Sequence, residues 1–196
     1  TMLARRGEEA VTAARELGYP VALKIASPQI AHKTDVDGVT LGLKNDAQVR
    51  QAFWDMTTRV QRLRPDAYVS GCLVQEMAPV GAREIIVGFK RDEQFGPLIM
   101  FGLGGIHVEI LKDVAYRLAP LSRDDAVGMV REIRSYLLLG GVHGGPAIDF
   151  RALENILLTL SALAMDFPQL CEAEFNPVLV NHQRALVADA RMTLRV

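Results

Sequence analysis

Near its C-terminus the chain carries Glu172, Glu174 and Asn176 at alternate positions, followed after a short polar stretch by Asp189. Alternation puts the first three on one face of a strand. Residues 185–193 read as a returning strand, and centring the turn on His182 and Gln183 sets Asn176 directly opposite Asp189, on that same face. The result is a cluster of carboxylate and amide oxygens. Hard cations such as Mg2+ take such donors and complete their shell with water and substrate phosphates. A solvated outer face of an antiparallel sheet has the same alternation, so the pattern alone leaves both readings open.

Lys24 stands in the alternating run Val21, Leu23, Ile25, on the opposite face with Ala22 and Ala26. The small neighbours leave room for an anionic ligand such as a phosphate chain, although a lone strand lysine is commonly the solvent-side residue of an edge. A polar loop follows with His32, Lys33, Thr34, Asp35 and Asp37. A neutral imidazole there can act as a nucleophile toward phosphorus, or be an exposed loop histidine without a task. The segment FGLGG at residues 101–105 places Gly104 and Gly105 where backbone N–H groups could approach an anion, but glycine pairs also occur in ordinary turns. Neither the lysine-bearing phosphate loop nor the dinucleotide glycine fingerprint is present. His107, His143 and His182 show no partnering pattern.

The elements that must hold these groups follow from periodicity. Residues 8–17 carry Ala10, Ala14 and Leu17 at helical spacing and stop at Gly18 and Pro20; no strand is expected before them. Residues 20–26 form a strand, residues 27–38 a loop, and Val39, Leu41 and Leu43 restart alternation. Asn45 or Asp46 caps a helix bearing Val49, Phe53, Met56, Val60 and Leu63, closed by Pro65. A strand over 68–77 leads to a Pro/Gly hinge at 78–82. Residues 84–90 and 97–101 form a hairpin. Ser122 caps one helix over 123–138, a glycine-rich turn spans 140–146, and Asp149 caps another helix over 150–166.

The chain has 196 residues, 22 Lys+Arg against 23 Asp+Glu, and is 49% hydrophobic. That composition excludes disorder, collagen and coiled coil. A net charge of −1 provides no basic face for coating nucleic acid. No apolar run approaches the roughly 18 to 20 residues that span a bilayer. Cys72 and Cys171 lack metal or disulfide spacing, and a reducing, cytoplasmic setting is expected. The first residue is Thr1, and the chain is expected to be a piece of a longer polypeptide. The length suits two small lobes, residues 1–77 and 78–196.

Four collinear stretches resemble a known family: GYPVALKI (18–25), SPQIAHKTDVDGV (27–39), the long segment from VQEMAPVGAREIIVGF to VAYRLAPL (74–121), and EAEFNPVLV with ALVADAR (172–180, 185–191). They resemble the ATP-grasp domain of ADP-forming acyl-CoA synthetases and, more distantly, the nucleotide-binding half of succinyl-CoA synthetase β chains. The resemblance implies an α+β fold of two lobes clamping a nucleotide, with a mostly antiparallel sheet in the larger. Implied too is a ligase module with ATP/ADP and Mg2+ as cofactors, interconverting acyl-CoA, ADP and phosphate with acid, CoA and ATP through a phosphohistidine relay. Its partner would be a CoA-binding domain or subunit of the same enzyme, in a homo- or hetero-oligomer, with no nucleic acid and no membrane involved.

By the same resemblance, Lys24 contacts the ATP phosphates, Glu76 and Met77 contact adenine through their backbone, and Glu84 contacts the sugar. Asn176 and Asp189 are the Mg2+ ligands with Glu174 beside them, and His32 is the transiently phosphorylated histidine. Gly104 and Gly105 lie by the transfer route. Asp37 stands where the family commonly has glycine, and the turn at 141–145 lacks an arginine often found there. Two other readings remain in view: a regulatory synthetase-like domain of a protein lysine acetyltransferase, and another ATP-grasp carboxylate ligase.

Overall fold

The computed structural model describes residues 1–30, 32–104, 113–141 and 146–195. The chain divides into two compact units, Thr1–Met77 and Ala78–Val196.

In the N-terminal unit the elements are β1 (Met2–Ala4), α1 (Gly7–Leu17), β2 (Val21–Ala26), a 3-10 turn (Lys33–Val36), β3 (Val39–Leu43), α2 (Asp46–Leu63) and β4 (Gly71–Glu76). The sheet runs β1-β4-β2-β3, antiparallel at each pairing. Val21, Leu23 and Ile25 bury one face of β2 against Ala10 and Ala14 of α1 and Val49, Phe53, Met56 and Val60 of α2. The Asn45 side chain accepts from Gln48 N at 3.0 Å, starting α2 with an oxygen on an otherwise orphaned N–H.

Three expectations change here. A strand does precede α1: Met2–Ala4 is too short to show a period in sequence, and pairs with Val74, Leu73 and Cys72. The close approach requires Gly71, whose φ of +131° is glycine territory and whose Cβ would overlap the Ala4 carbonyl oxygen. Leu41 does not join Leu43 in the core: it is 63% exposed, because the pairing of β2 with β3 shifts by one residue between Val21 and Leu23. The strand expected over 68–77 starts only at Gly71.

The C-terminal unit contains β5 (Arg83–Asp92), β6 (Gly96–Leu103), β7 (Val114–Leu118), α3 (Arg123–Glu132), α4 (Tyr136–Leu139), α5 (Phe150–Asp166), β8 (Leu170–Val180), β9 (Ala185–Val187) and β10 (Ala190–Leu194). Its sheet runs β10-β8-β5-β6-β7, with β9 also on β8. Ile85, Val87, Phe89, Ile99 and Phe101 pack one face against Met129 of α3 and Leu153, Leu157 and Leu160 of α5.

The single helix expected over 123–138 is two. A capping box of Ser122 and Asp125 opens α3, but Ile133 adopts ψ 142° and ends it. The Asp113 carboxylate then accepts from Arg134 N at 2.8 Å, Ser135 N at 2.7 Å and the Ser135 hydroxyl at 2.5 Å. Burial pushes that carboxyl up, but the Ser135 hydroxyl and the two N–H groups outweigh it and hold it below the usual range. A carboxylate some twenty residues upstream thus restarts the helix, which no local pattern reveals. Cys72 is buried and free, its thiol pushed up to about 12 by burial, so it is a packing residue.

Asp46 ties α1, the turn at Tyr19 and the first turn of α2 together. The Arg15 guanidinium is bonded to both carboxylate oxygens, and the Tyr19 hydroxyl donates to Oδ1 at 2.8 Å. Arg15, then Tyr19, hold the carboxyl at about 2, below its ordinary 3.8. A depressed carboxyl pKa adds stability above the unfolded pKa, lost as pH falls through the folded one. Asp46→Asn is therefore expected to lower the thermal midpoint at pH 7, with the gap to the parent narrowing as pH falls from 3.8 toward about 2. Melts across that interval check it; a gap constant with pH would refute the ion-pair origin.

Candidate functional site

In the C-terminal unit the candidate site is built on β8, which lies between β5 and the β9/β10 edge. Val178, Leu179 and Val180 face Val187, Leu186 and Ala185, and further along Phe175 and Glu174 face Ala190 and Arg191. Between these segments Asn176 N donates to Asp189 O at 3.1 Å and Ala188 N to Pro177 O at 2.9 Å. Asn176 and Asp189 are therefore direct neighbours. The Asn176 amide nitrogen donates to Glu174 Oε1 at 3.1 Å, which puts both side chains on one face.

That face is opposite the helices. On β5, Ile85 pairs with Val178 but Val87 pairs with Phe175, so β8 spends one more residue than β5 across Asn176 and Pro177. This is a β-bulge, a feature common beside functional sites. It lets Ala173 and Phe175 serve the core before the turn in the strand, and Val178 and Val180 after it, with Asn176 exposed.

Glu84 projects from the same helix-free face of β5 and is exposed, since its neighbour Ile85 is core. Gly104 packs onto its backbone: Gly104 N donates to Glu84 O at 2.6 Å, and a Cβ would lie 2.9 Å from the Glu84 carbonyl carbon. The expectation that the Gly104 N–H is offered to an anion is thus corrected. That N–H is engaged, and glycine is needed because β6 approaches Glu84 too closely for a side chain. Gly105, His107 and His143 lie outside the described residues.

In the N-terminal unit Lys24 is on β2, an interior strand facing Val39 of β3 and Leu73 of β4. The edge-strand explanation for a lone lysine does not apply. Lys24 is half-buried, with Ala22 buried and Ala26 half-buried along its face. Glu76 closes β4 opposite Val21, and Met77 follows, its Sδ accepting from Gly42 N at 3.2 Å.

His32 is exposed and immediately precedes the 3-10 turn, its carbonyl accepting from Asp35 N at 3.3 Å. Buried Ile30 and Val36 anchor the loop on either side. Asp37 takes φ 48°, the left-handed conformation that glycine would supply and that Asp tolerates. A residue that sequence reasoning passed over completes the loop: Arg59 of α2 donates to the Asp37 carbonyl at 3.2 Å. Its position on a polar helix face carried no signal.

The donor set on β8 and its edge fits a hard cation: one amide, one carboxylate and a second carboxylate bonded to the amide. Among the described residues no three His, Cys, Asp or Glu side chains gather as a metal site. A groove of about 1090 Å³ in the N-terminal unit lies elsewhere, lined by Leu3, Phe53, Trp54 and Tyr68 among others, and it includes none of Lys24, His32, Glu76 and Met77.

The ATP-grasp domain profile matches residues 1–194. Acetate–CoA ligase (ADP-forming) I subunit beta of Pyrococcus furiosus is 46% identical over 98% of this chain and 82% of its own length. Acetate–CoA ligase (ADP-forming) I of Archaeoglobus fulgidus is 45% identical over 98% of this chain, but the match spans only 28% of that longer protein. Acetyl-coenzyme A synthetase 1 of Ca. Korarchaeum cryptofilum, solved with coenzyme A and Ca-AMPCP, superposes with TM-score 0.96 at 44% identity, covering 99% of this chain and 84% of that one. Another structure of that enzyme holds coenzyme A and Mg-AMPPCP, with its phosphohistidine segment pointing towards the nucleotide binding site; it has TM-score 0.84 at 41% identity, covering 99% and 85%.

The Gly104 packing is testable by itself. Gly104→Ala must push the Glu84 backbone aside, a strain of about 1 to 3 kcal/mol. Denaturant unfolding is expected to show that loss, while Gly128→Ala, at a position with open space around it, shows none. Equal midpoints for Gly104→Ala and the parent would remove the close-packing account.

Proposed function

Because the chain belongs to the ATP-grasp domain family, on the branch of the ADP-forming acyl-CoA ligases, we propose that it is the nucleotide-binding, phosphoryl-transferring module of such a ligase. The observation that carries the reading is the pairing of Asn176 with Asp189, beside Glu174, on the helix-free face of the C-terminal sheet. The half-buried Lys24 on an interior strand supports it from the other unit.

Lys24 offers a point charge to the phosphate chain of ADP or ATP. Asn176 and Asp189 hold the nucleotide's Mg2+, which when bound neutralises charge on the transferring phosphoryl group. Glu174 orients the Asn176 amide through the bond at 3.1 Å. Glu76 and Met77 offer backbone groups to adenine, and Glu84 a carboxylate to the sugar hydroxyls. The CoA-binding part is the partner, and the cytoplasm is the compartment. No helix among the described residues is long and apolar enough to cross a membrane.

Phosphate displaces CoA from acyl-CoA to give acyl phosphate, and a histidine of the CoA-binding part takes the phosphoryl group as the carboxylate leaves. The neutral imidazole of His32 then attacks that phosphorus. Its N–P bond forms as the donor's N–P bond breaks, the donor nitrogen keeping the electron pair. Finally the terminal oxygen of ADP takes the phosphoryl group and His32 is released neutral. The protein's contribution is placement and charge, as in phosphoryl transfer generally.

Calorimetric titration of the chain with ADP and ATP, with and without Mg2+, is expected to show binding that Mg2+ strengthens. Lys24→Ala is expected to weaken ATP by about 1.5 to 3 kcal/mol, the range for a charge-assisted hydrogen bond; unchanged affinity would exclude the phosphate contact. In the full-length enzyme, His32→Ala is expected to abolish ATP formation from acyl phosphate and leave Mg·ADP affinity within about twofold, since an exposed nucleophile adds little to ground-state binding. Lost binding with an intact fold would remove the relay role.

A further inference from the structure

The His32 loop is fastened at both ends, by different means. On the N-terminal side the Gln29 side-chain oxygen accepts from Tyr68 N at 3.1 Å, and Ile30 is buried. On the C-terminal side Gly38 N donates to Lys33 O at 2.7 Å and Ile25 N to Gly38 O at 2.8 Å. Gly38 packs so closely on Ile25 that a Cβ would lie 2.6 Å from its Cγ2. Between these anchors the backbone turns through Asp37 in the left-handed region. That residue is fastened from outside the loop, by the Arg59 guanidinium donating to its carbonyl at 3.2 Å.

Arg59 holds this place at a cost. Its Nε is buried without a hydrogen-bond partner among the described residues, and an unpaired buried donor lowers stability. The hydrogen bond of its side chain leaves α2 for the loop. It bridges the helix to one carbonyl, five residues beyond His32 in the chain.

We infer that Arg59 is a positioning residue: by fixing the Asp37 carbonyl to α2, it sets where the His32 imidazole stands when it accepts and passes on a phosphoryl group. The inference deepens the relay reading of His32 and rests on it for its kinetic consequence. The structural half does not, since Arg59 holds the loop whether or not His32 is phosphorylated. Without Arg59 the turn between those anchors loses its hydrogen bond to α2, which leaves the imidazole to sample several positions, and in-line transfer needs one of them. Asp37 tolerates the left-handed region, and the carbonyl it presents there is the one that the Arg59 guanidinium holds.

The test uses the full-length enzyme with Arg59→Met, Arg59→Lys and His32→Ala. Methionine keeps the packing stem and removes the buried donor, so the thermal midpoint of Arg59→Met is expected to equal or exceed the parent's. Hydrogen exchange of amides 33–38 is expected to quicken about tenfold, and the rate of ATP formation from acyl phosphate to fall about 10- to 100-fold, with Mg·ADP affinity unchanged. Arg59→Lys, which can still donate to the carbonyl, is expected to recover part of both losses. A fall in midpoint and nucleotide affinity parallel to the rate would make Arg59 merely structural and overturn the inference, as would an unchanged rate with His32→Ala inactive. An active His32→Ala would instead overturn the relay reading; exchange at 33–38 then still decides whether Arg59 holds the loop, and unchanged exchange rejects that too.

Discussion

The pairing register of β8 is the constraint on which the C-terminal unit's candidate site rests. Side chains alternate along a strand, so a slip of one residue would turn Glu174 and Asn176 into the core and expose Ala173. Val178 and Val180 are fully buried, and each such side chain contributes roughly 1.5 to 3 kcal/mol by leaving water. Carboxylate burial opposes the slip further. Yet Ala173 and Val178 both serve the core at an odd separation, which a regular strand cannot satisfy. The bulge across Asn176 and Pro177 resolves the conflict and sets the amide beside Asp189. The same device that keeps the core packed creates the cluster of oxygen donors.

The N-terminal unit solves the complementary problem of offering a cation and a nucleophile without losing its core. Val21, Leu23 and Ile25 commit one face of β2 to the helices, which leaves Lys24 on the other face of an interior strand. Half-burying an ammonium is unfavourable unless it is satisfied, and small neighbours at Ala22 and Ala26 keep the approach open. Buried Ile30 and Val36 bracket the exposed His32. Hydrophobic anchors thus determine which loop residues face water, while hydrogen bonds from Tyr68 N to the Gln29 side chain and from Arg59 to the Asp37 carbonyl tie the loop to its surroundings.

Glycines mark where backbones approach each other, and their meaning depends on the partner. Gly71 admits the Ala4 carbonyl and so permits β1. Gly104 looks in sequence like part of an anion-binding loop, but its N–H is spent on Glu84. Its effect on the site is indirect, through the placement of that carboxylate.

Much of this was legible in the chain because it is local. Helical spacing gave α1, α2 and α5, and Asn45 or Asp46, Ser122 and Asp149 announced the starts of α2, α3 and α5. Period-two alternation gave β2 and β8, and a turn centred on His182 and Gln183 was enough to place Asn176 against Asp189. Tertiary structure decided what depends on residues distant in sequence. Pairing with β4 makes a strand of Met2–Ala4; the Asp113 carboxylate splits one expected helix into two; a shift in register exposes Leu41; and Arg59 reaches the loop of His32. Periodicity reports which face of an element is buried, because each residue sits at a fixed angle to its neighbours. It carries no information on which carbonyl, carboxylate or strand edge the folded chain brings alongside, and those contacts hold the functional side chains in place.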